Sequence, residues 1–154
     1  MDLSDLLAVE AVSSRLKAVS KKQTFQDLAA KAAVLTGHGE KEILETLLQR
    51  EKLGSTGVGH GVAIPHGKLP GLKSLTGLFA RLDRPIDYDS IDGEPVDLVF
   101  LLLAPEHAGA DHLKALARIA RVLRDGHTAS KLRAADDASA IYALLTEQTA
   151  SNAA

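Results

Sequence analysis

The sequence predicts a single α/β domain in which a mixed β-sheet is flanked by helices, and three observations carry that expectation. A chain of 154 residues, 45% hydrophobic and 25% charged, has the size and composition of one globular domain with a real core. Segments with apolar residues at helical spacing stand before and after a block of β-like runs instead of alternating strictly with them, which suits a layered α/β arrangement better than a repeated βαβ unit. The run Val96 to Leu103 (VDLVFLLL) is nearly all apolar, as a strand covered on both faces would be.

The elements follow in chain order. Val12 to Val19 alternates weakly and reads as an edge strand. Ser20 to Gln23 has the spacing of a capping box, and behind it Phe25, Leu28, Ala32 and Leu35 form an apolar helical stripe that Gly37 stops. Glu40 to Glu51 repeats the pattern with Ile43, Leu44, Leu47 and Leu48, Arg50 in the last turn and Gly54 just beyond. After a glycine-rich stretch, Leu75 to Leu82 and Val96 to Leu103 read as strands. Asp111 to Arg124 is an amphipathic helix with Leu113, Leu116, Ile119, Ala120 and Leu123 inward and Lys114, Arg118, Arg121 and Arg124 facing solvent, ended by Gly126. Helices over 129–134 and 136–145 come next, then a small, polar tail expected to fray. The whole of 1–154 reads as one domain, with no internal repeat.

Composition removes several function classes. The 18 basic and 20 acidic residues are scattered and leave a net charge of −2, so no electrostatic footprint for nucleic acid or an anionic membrane is present. With no cysteine there is no disulfide framework, thiolate metal site or thiol nucleophile. The acidic N-terminal residues lack the basic start and apolar run of a signal peptide, and no apolar run approaches the roughly 20 residues that span a bilayer, so a cytoplasmic protein without membrane insertion is expected.

The stretch Gly57 to Lys68 (GVGHGVAIPHGK) concentrates the candidate chemistry. It fails as a Walker loop, because five residues separate Gly61 from Gly67 and Leu69 follows Lys68 where a hydroxyl would hold magnesium. The dinucleotide pattern fails at Val62. The acidic run Asp87 to Gly93 fails as a calcium loop, with Ile91 at a ligand position and Leu98 in place of the bidentate carboxylate, and reads as a solvated turn. A metal shared by His60 and His66 needs a sharp bend, since an extended chain separates them by roughly 20 Å. His60 reads more simply as an exposed loop histidine.

His66 follows an apolar β-like run, behind the fixed φ of Pro65 and before Gly67, which would let the chain turn. A neutral imidazole there is a good nucleophile toward phosphorus, although a histidine merely tolerated at a turn fits the same residues. A phosphoryl group on it would need compensating charge. Arg50 at the end of the second helix and His112 at the start of the amphipathic helix are candidates, while His112 equally suits a solvent-facing first turn.

Arg50 to Lys68 (REKLGSTGVGHGVAIPHGK) resembles the active-site segment of the fructose/mannitol-type IIA proteins of the bacterial phosphotransferase system, most of all their nitrogen-regulatory branch. Arg84 to Pro105 and His112 to Arg124 resemble the family's following segments in order, so that the likeness spans about residues 3–147 and leaves out the tail 148–154. The resemblance implies the mixed-sheet IIA fold and a phosphoryl carrier instead of a turnover enzyme. In it His66 is the phosphoacceptor, His112 the second histidine that supports the phosphoryl group and Arg50 the nearby cation, and no cofactor is required. It also implies an HPr-like (NPr) donor charged from phosphoenolpyruvate through Enzyme I, and regulatory targets of the kind this class acts on, such as sensor kinases or potassium transport systems. His60 departs from the family, which more often has asparagine there. Three other readings stay in competition: a sugar-specific IIA that passes phosphate to a separate IIB, a IIA-like interaction module without phosphotransfer, and a metal-binding protein using His60 and His66.

Overall fold

The computed structural model describes residues 1–153, with side chains for residues 1–147. Two short 3-10 turns, Leu3–Asp5 and Val9–Ala11, lead into strand β1 (Val12–Leu16), helices α1 (Lys21–Thr36) and α2 (Glu40–Lys52), and three short strands β2 (Gly57–Gly59), β3 (Val62–Ala63) and β4 (His66–Leu69). Long strands β5 (Thr76–Ile86) and β6 (Val96–Pro105) follow, then helices α3 (Ala110–Arg124), α4 (Gly126–Ala134) and α5 (Ala138–Ala153). No helix among the described residues is long and apolar enough to cross a membrane.

The sheet is mixed, in the order β1-β5-β6-β3-β2, with β4 also paired to β6. Strand β1 is an edge strand parallel to β5, β5 and β6 are antiparallel, and β3 and β4 both run parallel to β6. Val62 pairs with Leu98 and His66 with Leu102, an unchanged offset, so residues 62–69 form one extended track along β6 broken only around Pro65. Proline has no N–H to give the ladder, but its carbonyl still accepts from Leu102 at 3.0 Å. Residues Leu98 to Ala104 of β6 are fully buried, as their unbroken apolar run requires.

The expected capping box at the start of α1 forms in half: Ser20 Oγ accepts from the Gln23 N–H at 3.1 Å, whereas Gln23 Oε1 accepts from the N–H of Val19, one residue before the cap, at 3.1 Å. Gly37 ends the helix in the left-handed conformation, φ 77°. Phe25, Leu28, Ala29 and Ala32 are buried, whereas Leu35 is exposed because the last turn of α1 runs past the core. Strand β1 stops at Leu16, short of the expected Val19.

Four other expectations are corrected. The inward face of α3 is His112, Ala115, Ile119, Val122 and Leu123, and Leu113 is 69% exposed. A stripe rotated by one residue is nearly as apolar, so periodicity alone misplaces it. Arg118, expected in solvent, has its Nε and Nη2 buried without a hydrogen-bond partner. Gly126 does not end α3 but opens α4, whose cap is Asp125: its carboxylate accepts from the N–H and hydroxyl of Thr128 at 3.3 and 2.7 Å. Helix α5 begins at Ala138 and continues to Ala153, past the expected Leu145. The expectation of a frayed tail falls on 146–154, of which Thr146 and Glu147 continue α5 and the side chains of 148–154 lie outside the described residues.

Candidate active site

Helix α2 lies over β4, and a glycine sets how closely. A Cβ on Gly67 would stand 2.6 Å from Thr46 Cγ2, so only glycine admits the helix at this distance. Gly67 was expected to turn the chain; instead it continues β4, paired opposite Leu103, and its missing side chain is what matters. One helical turn beyond Thr46 on the same face, Arg50 reaches His66.

Both ring nitrogens of His66 are engaged. Nδ1 lies 2.9 Å from the carbonyl oxygen of Ile64, and Arg50 Nε donates to Nε2 at 3.3 Å. A carbonyl can only accept and a guanidinium can only donate, so the two contacts together assign the proton to Nδ1 and the lone pair to Nε2. Arg50 also donates from Nη1 to the Gly54 carbonyl at 2.9 Å, which fixes the guanidinium against the turn after α2. The His112 ring stands edge-on to His66, with centroids 5.7 Å apart at 71°. His112 is 8% exposed, which removes the solvent-facing alternative, and its Nε2 is buried without a partner. The three residues singled out from the sequence therefore meet.

The electrostatics favour neutral imidazoles. Burial lowers the His66 pKa below its ordinary value, the Ile64 carbonyl opposes this, the Arg50 charge adds to it and Glu51 opposes it. Burial also lowers the His112 pKa, helped by His66 and Lys68. A shallow depression of about 220 Å³ opens beside His66, lined by Arg50, Ser55, Thr56, Val58, Ile64, Leu116 and Ala120.

Sequence reasoning missed the support beneath the site. Glu51, next to Arg50 at the end of α2, turns inward: its carboxylate accepts from the Thr56 N–H at 3.2 Å and from the Thr56 hydroxyl, and pairs with Lys21 Nζ at 2.7 Å. Tyr88 Oη lies 2.8 Å from Thr56 Oγ1, and Lys21 Nζ donates to the Tyr88 carbonyl at 3.1 Å while standing 4.3 Å over the ring. Burial, with the Glu51 charge, pushes the Tyr88 phenol far above its ordinary pKa, so it stays protonated. The acidic residues of this turn, Asp87, Asp89 and Asp92, are exposed as expected, whereas Tyr88 between them is fully buried. Lys68, two residues along β4 from His66, was also not singled out, and its effect on His112 required the fold to be seen.

His60 stands apart from this centre. It is exposed in the two-residue turn joining β2 to β3, where His60 and Gly61 both take positive φ, 57° and 80°. Its N–H donates to Asp92 at 3.0 Å, and its carbonyl accepts from Arg133 Nη2 at 2.8 Å. It lines a separate cleft of about 470 Å³ with Asp92, Glu94, Asp97 and Arg133. The extended track from Val62 to His66 leaves no bend to bring His60 and His66 onto one ion, which removes that metal reading.

Residues 5–148 match the family described as phosphoenolpyruvate-dependent sugar phosphotransferase system, EIIA 2. The chain is similar to the nitrogen regulatory protein of Bradyrhizobium diazoefficiens, 69% identical over 145 residues that cover 94% of this chain and 95% of that one. It is also similar to the crystal structure of nitrogen regulatory protein IIA-Ntr from Neisseria meningitidis, with a TM-score of 0.89 and 35% identity over 94% of this chain and 99% of that one. IIA mannitol from Escherichia coli superimposes with a TM-score of 0.74 at 19% identity over 90% of this chain and 97% of that one, a likeness of fold alone.

Proposed function

The chain belongs to the EIIA 2 family of the phosphoenolpyruvate-dependent sugar phosphotransferase system, and from that premise we propose that it is a regulatory phosphoryl carrier of the nitrogen branch. It accepts a phosphoryl group on His66 from an HPr-like donor in the cytoplasm and controls partner proteins by its phosphorylation state. The observation that most supports this is the committed geometry of His66, whose Nδ1 is occupied by a carbonyl while its Nε2 lone pair is left beside a guanidinium. The nitrogen branch is favoured by the 69% identity to a protein named as a nitrogen regulator.

In the proposed step, the Nε2 lone pair of His66 attacks the phosphorus of the donor's phosphohistidine in line. The P–N bond to the donor breaks, its electron pair stays on the donor imidazole, and a P–Nε2 bond forms. Positive charge then develops on the His66 ring, and the Nδ1–H bond to Ile64 and the carboxylate of Glu51 both stabilise it. Arg50 releases Nε2 and pairs with the phosphoryl oxygens. The unpartnered Nε2 of His112, as an N–H, donates to another of those oxygens. The added charge in the depression that the exposed Val58 lines changes which partners the surface accepts.

The test separates the branches. The protein, charged by phosphoenolpyruvate, Enzyme I and an HPr-type carrier, is offered a fructose- or mannitol-type IIB, with label on the phosphoryl group. Retention of the label supports the regulatory carrier; transfer to the IIB at the rate at which the chain was charged would establish the sugar-specific alternative.

A further inference from the structure

Glu51 is a buried carboxylate, its side chain 7% exposed, one residue from Arg50; its hydrogen bonds go to Thr56, and it acts on His66 directly only through its charge. We propose that Glu51 is a positioning residue: through Thr56 and the Ile64 peptide it holds His66 in the Nδ1–H tautomer and so keeps Nε2 free for attack. Attack by Nε2 rests on the phosphoryl-carrier function proposed above, while the tautomer does not.

The route is continuous. The Glu51 carboxylate takes both the N–H and the hydroxyl of Thr56, which fixes that peptide plane. The Thr56 carbonyl accepts from the Ile64 N–H at 2.9 Å, and the Ile64 carbonyl accepts from His66 Nδ1 at 2.9 Å. Consecutive residues at the end of α2 thus govern the two ring nitrogens, Arg50 directly at Nε2 and Glu51 through two peptides at Nδ1. In the other tautomer an Nε2–H would face the Arg50 Nε–H, donor against donor, and Nδ1 would turn a lone pair on a carbonyl oxygen. On its far side Glu51 is held by Lys21, and Thr56 by the protonated Tyr88, so α1 and the turn between β5 and β6 brace the same carboxylate. A salt bridge serving packing alone needs no second and third hydrogen bond to Thr56, the residue whose carbonyl holds the Ile64 peptide. Outer hydrogen bonds that fix a functional imidazole are a general device, and losing one costs about 10- to 100-fold in metal sites.

The experiment reads the tautomer from the imidazole 15N shifts of His66 at pH 8, where the ring is neutral. The wild type is expected to show a pyrrole-like Nδ1 and a pyridine-like Nε2. Glu51→Gln and the near-isosteric Thr56→Val are expected to move both shifts toward the tautomeric average and slow phosphoryl acceptance about tenfold or more. Thr56→Ser, which keeps the hydroxyl, retains the wild-type shifts and a rate within about twofold. Amide spectra away from the site verify folding, and if Glu51→Gln does not fold, the Thr56 pair decides. Unchanged shifts in folded Thr56→Val, or an Nε2–H wild type, overturn the inference. A wild type with the expected tautomer that accepts no phosphoryl group sinks the proposed function and leaves this inference standing.

Discussion

Replacing Gly67 by alanine drives a methyl group into α2, and the structure sets the size of the effect. The new Cβ would lie 2.6 Å from Thr46 Cγ2, about 1 Å inside the ordinary carbon–carbon contact distance. Thr46 has no easy escape: it is β-branched within a helix, and its hydroxyl donates to the Glu42 carbonyl at 2.8 Å, which fixes its rotamer. Either α2 lifts from β4 or Thr46 gives up that bond, and overpacking of this kind costs about 1–3 kcal/mol. Thr46→Ser keeps the hydroxyl and removes the offending methyl, so alone it costs less than about 1 kcal/mol. The double variant should recover at least about 1 kcal/mol of the Gly67→Ala loss, a coupling read from a double-mutant cycle of urea unfolding. Because Arg50 is carried by the same helix, Gly67→Ala should also slow phosphoryl acceptance, and Thr46→Ser should restore part of the rate. Additive losses in the cycle would refute the close-approach explanation of Gly67.

Other expectations concern the site and the turn opposite it. Arg50→Lys cannot both reach His66 Nε2 and hold the Gly54 carbonyl, so phosphoryl acceptance measured by label transfer should fall about 100-fold, and a loss under threefold would deny Arg50 its role. The folded pKa values of His66 and His112 lie below their unfolded value near 6.5. Above pH 6.5 both states are neutral there and contribute no pH dependence; as the pH falls below 6.5 the unfolded chain takes up protons that the folded chain refuses. Stability should therefore decline as the pH drops from 6.5 toward the folded values, and acceptance should keep its rate below pH 6.5. A flat stability profile over that window, or a rate already halved at pH 7, would contradict the depressed values. His60→Asn should raise stability by up to about 1 kcal/mol by chemical denaturation, because asparagine tolerates φ 57° better, and leave acceptance unchanged.

Much of the fold was legible because long elements carry their own periodicity. The stripe of Phe25, Leu28 and Ala32 and the apolar run of β6 place α1 and β6 without help from the rest of the chain. The short strands were less legible: the apolar run before His66 reads as β-like and holds β3, but strands of two to four residues give no alternation, and β2, β3 and β4 are defined only by pairing with β6 and with one another. Arg50, His66 and His112 were candidates from their local settings and took their roles from a motif resemblance; spacing alone could not show that residues on α2, β4 and α3 converge. Glu51, Thr56 and Tyr88 escaped because each looks ordinary in its own segment. A glutamate at a helix end reads as a solvated charge, and a tyrosine among three aspartates reads as part of a polar turn. Only the fold brings Lys21 to the first and Thr56 to the second.

The most direct measurement is intact mass after incubation with phosphoenolpyruvate, Enzyme I and an HPr-type carrier, beside a His66→Ala control. The expected result is an acid-labile gain of about 80 Da, one phosphoryl group, in the wild type and none in the control. No gain with a competent donor, or an equal gain in the control, would contradict a phosphoryl carrier built on His66.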